Sequence, residues 1–111
     1  MVRRPGLIKG SIDSLLLCLI GQQPMYGYPI IRELEGRSAG YFKFKEGTLY
    51  PALHRLEEAD LIRGKWELLI DGRQRKYYHI TEKGMSVLTE KRNQWLDFLT
   101  AVNLIIKPAS P

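Results

Sequence analysis

The chain has 111 residues, 44% of them hydrophobic and 26% charged, with 17 Lys and Arg against 12 Asp and Glu for a net charge of +5. A chain of this length buries roughly two thirds of the surface its unfolded form exposes, enough for one domain with a core that needs no disulfide or metal staple. The same arithmetic excludes most enzymology. Two histidines (His54 and His79) and one thiol (Cys18) show no zinc-site spacing and no Cys/His dyad, and the ten glycines form no phosphate-binding loop. No catalytic residue, metal or cofactor is therefore expected. A single cysteine, no signal-like opening and no apolar run near the roughly 18 residues of a membrane span predict a cytoplasmic protein with no membrane partner. The positive balance favours a polyanionic partner, although charge speaks to association and not to fold.

In chain order, Ser11 to Ile20 is apolar at Ile12 and at every position from Leu15 onward. That pattern predicts a helix covered on several sides, with Cys18 a small core residue and Gly21 and Pro24 ending the helix. A second helix is predicted from Tyr26 or Gly27, because Pro29 is tolerated only in a first turn, and Gly36 suits a left-handed cap at its end. In the loop that follows, Phe42 and Phe44 alternate with Lys43 and Lys45, the period of a short extended segment.

Thr48 to Ala59 predicts a third helix with Thr48 as N-cap and Pro51 at the third helical position. Leu49, Ala52, Leu53 and Leu56 make its core stripe, and Thr48, Tyr50, Pro51, His54 and Arg55 its opposite face. Ile62, Trp66, Leu68 and Ile70 then alternate with Arg63, Lys65 and Glu67, and Asp71-Gly72 predicts a hairpin closed by a type I′ turn. The return strand from Arg73 to Ile80 brings Tyr78 and Ile80 to the core side and gathers Arg73, Arg75 and Lys76 near the tip. Thr81 is an N-cap for a last helix reaching about Lys107, before Pro108. Met85, Leu88, Trp95, Leu99, Val102 and Ile106, interrupted by Arg92, repeat every 3.5 residues, the seam of a coiled coil that needs a second helix. Phe98, Leu104 and Ile105 add apolar surface outside that seam.

Three helices followed by a ribbon make a mostly α fold with a small β-hairpin wing: a winged helix-turn-helix over residues 1–81, with a C-terminal dimerisation helix over 82–111. The third helix stands where a DNA-reading helix would. A duplex carries about one negative charge per 1.7 Å of axis, and a helix in the major groove brings its flanking cations to the phosphates. The DNA-contact candidates are Lys43, Lys45, Thr48, Tyr50, His54, Arg55, Arg73, Arg75 and Lys76.

The run GTLYPALHRLEEADLI, preceded by MYGYPI and followed by RKYYHITEKG, resembles the PadR-like winged-helix transcriptional regulators of bacteria and archaea, over roughly Gly10 to Leu88. The single helix that remains resembles the short subgroup, whose members pair through it. The resemblance implies a repressor acting as a homodimer on a palindromic operator. It also implies a planar aromatic effector, for which Trp95 at the seam is the candidate contact. Pro29 stands where the family more often has an acidic residue, and His54 stands on the recognition face, so the operator does not carry over. Gly27 and Gly47 are expected to serve unusual φ angles or close packing. Tyr50 either touches phosphate or braces the wing. Two other classes remain open, a winged helix used as a protein-interaction module and a small-molecule-binding dimer that has lost its DNA role.

Overall fold

The computed structural model describes residues 5–108, with side chains from Ser11 onward. In order they form α1 (Pro5–Gln22), α2 (Gly27–Arg37), α3 (Glu46–Glu58), the antiparallel strands β1 (Ile62–Leu68) and β2 (Gln74–Ile80), and α4 (Glu82–Ile106). This is a mostly helical winged helix-turn-helix with the hairpin as its wing. Met25 adds a bridge on the outer side of β2, exchanging backbone bonds of 3.3 and 2.8 Å with Tyr78.

Leu16, Leu17 and Ile20 of α1, Ile30 of α2 and the predicted stripe of α3 are buried in one core, closed by Ile62 and Tyr78. The first helix begins six residues before Ser11, with Pro5 at the first helical position, where no intrahelical partner for an N–H exists. It also runs through Gly21, which does not end it. A Cβ at Gly21 would stand 2.8 Å from Leu88 Cδ2, so the glycine lets α1 and α4 approach. The second helix starts at Gly27 with Pro29 in its first turn, as expected, but Gly36 is not its cap. The left-handed residues are Ala39 (φ 52°) and Gly40 (φ 83°), and the Gly40 N–H donates to the Glu35 carbonyl at 2.7 Å.

Two further local expectations are corrected. Lys45, not Thr48, is the N-cap of α3, since its carbonyl accepts from the N–H groups of Thr48 and Leu49, both at 3.0 Å. Pro51 therefore lies inside the helix, with no N–H to offer the Gly47 carbonyl. The hairpin turn is not type I′. Leu69 and Arg73 are still paired (2.8 Å), the Gly72 N–H reaches the Leu69 carbonyl (3.0 Å), and only Gly72 has positive φ (85°). The Asp71 carboxylate accepts from the Arg73 N–H at 3.0 Å, which fits Asp71 to a three-residue loop with Gly72 as the left-handed residue.

The face assignment on the wing holds, but its burial does not. Ile62 is buried, whereas Trp66, Leu68 and Ile70 are exposed, because the ribbon outruns the helices beneath it. On α4 the Thr81 cap is as expected: its hydroxyl accepts from the Gly84 N–H (2.9 Å) and donates to the Asp60 carbonyl (2.7 Å). Gly84 and Leu88 are buried, so Leu88 faces its own domain. Past it most of α4 is exposed, with Trp95 and Val102 half-buried, and the molecule measures 64 × 30 × 23 Å. Among the described residues no helix is long and apolar enough to cross a membrane.

Candidate nucleic-acid interface

Burial of Leu49, Ala52, Leu53 and Leu56 turns Thr48, Tyr50, Pro51, His54 and Arg55 outward on α3. The preceding loop is held by Phe42 and Phe44, half-buried and stacked with centroids 5.9 Å apart, which leaves Lys43 and Lys45 exposed ahead of the helix. No acid pairs with either lysine among the described residues. His54 Nε2 stands 3.1 Å from Glu58 Oε1, one helical turn on. Arg55 is tied by Nη2 to Asp13 Oδ1 of α1 at 3.0 Å. Tyr50 lies over Gly27, where any Cβ would collide with the phenol, so its ring packs on the start of α2. Gly47 has neither of the expected reasons to be glycine: its φ is not positive and an added Cβ would meet nothing within 4 Å.

The wing cations do not form one cluster. The register places Lys76 opposite Trp66 on one face and Arg75 opposite Glu67 on the other. Lys76 Nζ donates to Glu57 Oε1 of α3 at 3.0 Å. Arg75 lies over the Tyr26 ring, 4.8 Å from its centroid, with its Nε buried and without a hydrogen-bond acceptor among the described residues. Arg73 donates through Nε to Asp71 Oδ2 at 2.8 Å. Sequence reasoning missed Asp13, Glu57 and Tyr26 as partners of these cations, because only the packing of α1, α3 and the wing brings them together.

The bond to Glu57 raises the Lys76 pKa above 10.5, and burial raises that of Tyr78 above 10.0. In both cases the folded state favours the protonated form. Their contribution is fully present below the unfolded values and is lost as pH climbs through the folded ones. Burial pushes the Cys18 thiol up as well, so urea midpoints are expected to begin falling above about pH 8.5 and to fall more steeply above about pH 10, with a shallower drop above about pH 10 in Lys76→Met. Equal slopes in the two proteins would remove Lys76 from the alkaline transition.

The outer part of α4 is the second candidate surface. Leu99 and Ile106 of the seam are exposed, as are Leu96, Phe98, Leu104 and Ile105 beside it. Between α4 and α1 lies a groove of about 530 Å³ whose wall includes Leu15, Cys18, Phe42, Trp95, Phe98 and Leu99, with Arg92 at its edge. Trp95 meets Phe98 edge-on inside it, centroids 6.0 Å apart at 87°. Burial pushes the Cys18 thiol up, partly offset by Arg92 and Arg37, which fits a packing role. Among the described residues no three His, Cys, Asp or Glu side chains come together as a metal site.

The family model of the transcriptional regulator PadR-like family matches residues 16–90. The chain belongs to this family. Like its family, this PadR-like protein is a transcriptional regulator and not an enzyme. It is 36% identical over 104 residues to an uncharacterized protein of Lysinibacillus sphaericus, covering 94% of this chain and 95% of that one. A crystal structure of a PadR-like transcriptional regulator from Bacillus cereus superposes with a TM-score of 0.82 at 33% identity, covering 93% of this regulator and 98% of that chain. A transcriptional regulator from Clostridium thermocellum superposes at 0.81 with 28% identity, over 96% of this chain and all (100%) of that one.

Proposed function

We propose that this PadR-like regulator is a cytoplasmic, ligand-responsive repressor that binds a palindromic operator as a homodimer, residues 1–81 holding the DNA and 82–111 the partner. The observation that carries the reading is the exposed face of α3, with Thr48, Tyr50, His54 and Arg55, preceded by two cations without acidic partners among the described residues, Lys43 and Lys45, and flanked by a wing carrying Arg73, Arg75 and Lys76. Selection of bound duplexes from a random pool tests it. A palindromic winner is the expected result. No enrichment of any duplex would favour the winged helix as a protein-interaction module.

Dimerisation is supported by the exposed apolar half of α4, which continues into the groove along α1. Leu88 belongs to the domain core, so the seam available to a partner is Met85, Trp95, Leu99, Val102 and Ile106. Leu99 and Ile106 are both exposed, so Leu99→Asp with Ile106→Asp is expected to leave the fold intact and give a monomer in sedimentation. Operator affinity should fall about 10²- to 10⁴-fold, because the second half-site is no longer linked to the first. A dimer that survives both changes would refute this interface. The effector reading rests on Trp95 and Phe98 in the groove, an aromatic pair that a planar guest can replace at modest cost. Such a guest alters repression only if it favours one spacing of the reading heads. Titration of planar aromatic compounds into the protein, read by tryptophan fluorescence and compared with Trp95→Phe, tests the site. Binding that leaves operator affinity unchanged would remove induction.

A further inference from the structure

The wing carries an apolar strip that the rest of the domain leaves bare. Trp66 is 67% exposed and Leu68 72% exposed, and Ile70 at the tip is fully exposed. The register puts Trp66 and Leu68 on the strand face of Ile62, Gly64, Lys76 and Tyr78, while Lys65, Glu67 and Arg75 belong to the other face. That first face is the one beside α3. The Gly64 N–H donates to Glu57 Oε2 at 3.3 Å and Lys76 Nζ donates to Glu57 Oε1 at 3.0 Å, both on the flank of the helix. A body lying against the outward side of α3 and reaching past Glu57 therefore meets an indole and a leucine, with Gln74 opposite the leucine.

The cations assigned to the wing are engaged elsewhere. Lys76 is bonded to Glu57, Arg75 lies over Tyr26 and Arg73 is bonded to Asp71. We propose that the wing engages duplex DNA through Trp66 and Leu68, packed against the deoxyribose walls of the minor groove next to the major-groove segment that α3 occupies. This rests on the DNA-binding reading above and specifies which wing side chains make the contact. The minor groove is about 6 Å wide, too narrow for a helix but open to the edge of a ribbon, and its walls are sugars between two rows of phosphate. Apolar side chains serve as wedges there. Lys65, next to Trp66 in β1, is exposed and has no ion pair among the described residues, which leaves it as a wing cation for the adjoining phosphates. The area argues against a protein occupant. Three side chains supply a few hundred Å², short of the roughly 800 Å² per partner of a stable protein interface.

The test uses the full chain, the duplex selected for the unaltered protein, and the variants Trp66→Ala, Leu68→Ser and Trp66→Phe. Both positions lie outside the core, and thermal midpoints and sedimentation should match the unaltered protein. Trp66→Ala and Leu68→Ser are expected to weaken binding by about tenfold or more, with an unchanged dependence on salt because no ionic contact is lost. Trp66→Phe should retain most of the affinity. Netropsin, occupying the flanking minor groove, should bring the unaltered protein down to the level of Trp66→Ala. If the unaltered protein binds and both truncations bind equally well, the wing contact is overturned while the DNA-binding reading stands. A changed salt slope would show that the wing acts through charge and overturn the apolar contact. Self-association that disappears in Trp66→Ala would assign the strip to a second copy of the chain instead. Failure of the unaltered protein to bind any duplex would overturn the DNA-binding reading, and this inference with it.

Discussion

Affinity for the selected duplex is expected to fall by roughly 10³ to 10⁵ between 50 and 200 mM salt, as for a protein that neutralises about 6 to 10 phosphates. The candidate cations should not share this effect equally. Arg55, Arg73 and Lys76 are each bonded to an acid of the same chain, so contact with phosphate would mean exchanging one partner for another. Lys43 and Lys45 have no such partner among the described residues and are held ahead of α3 by the stacked Phe42 and Phe44. Lys43→Ala with Lys45→Ala removes two cations from each protomer of a dimer. The slope of log affinity against log salt should become shallower by about 3.6. Arg73→Ala should change it less. Because phosphate contacts carry little sequence information, the lysine variant should weaken all duplexes alike. A slope unaltered by loss of both lysines would remove the loop from the interface.

Gly84→Ala is expected to cost about 3 kcal/mol of stability, the upper end of what overpacking a well-filled junction usually costs. The added methyl would collide with the backbone carbonyl of Leu61 and stand 2.7 Å from Ile80 Cγ1, and a backbone oxygen in the middle of a packed junction has no rotamer with which to withdraw. To make room, α4 must lift away from the end of α3, which also strains the Thr81 cap and the burial of Leu88. For a domain of this size the loss corresponds to a fall in Tm of more than about 10 °C. Gly47→Ala is the control. It lies in a helix with nothing within 4 Å of the new methyl, so it should raise stability by up to about 1 kcal/mol through helix propensity. Equal Tm values for the two variants would show that the Gly84 contact is looser than the packing of Leu61 against α4 implies.

The features legible in the amino-acid order are those that depend on near neighbours. The stripe of Leu49, Ala52, Leu53 and Leu56 is buried as its spacing requires, Thr81 caps α4, Phe42 and Phe44 point in where Lys43 and Lys45 point out, and the order of three helices, ribbon and long helix follows from period and breakers alone. Each of these rests on hydrogen bonds or side-chain directions within a few residues. Local reasoning failed where two signals competed within a turn. Thr48 is a good cap, yet Lys45 takes the position and the helix gains three residues by starting earlier. Asp71-Gly72 tolerates two positive φ angles, yet the Asp71 carboxylate is bonded to the Arg73 N–H in a loop one residue longer. Which cations are free is a matter of tertiary packing, because Asp13, Glu57 and Tyr26 are remote in sequence from Arg55, Lys76 and Arg75 and meet them through the packing of α1 against α3 and of the wing against both. Packing likewise sets where the core stops. Period assigns Trp66 to the face of Ile62 and Leu88 to the seam of Leu99, but whether a face is covered depends on how far the neighbouring elements extend. The short helices under the wing leave Trp66 in solvent, and the close approach of α1 at Gly21 takes Leu88 into the domain.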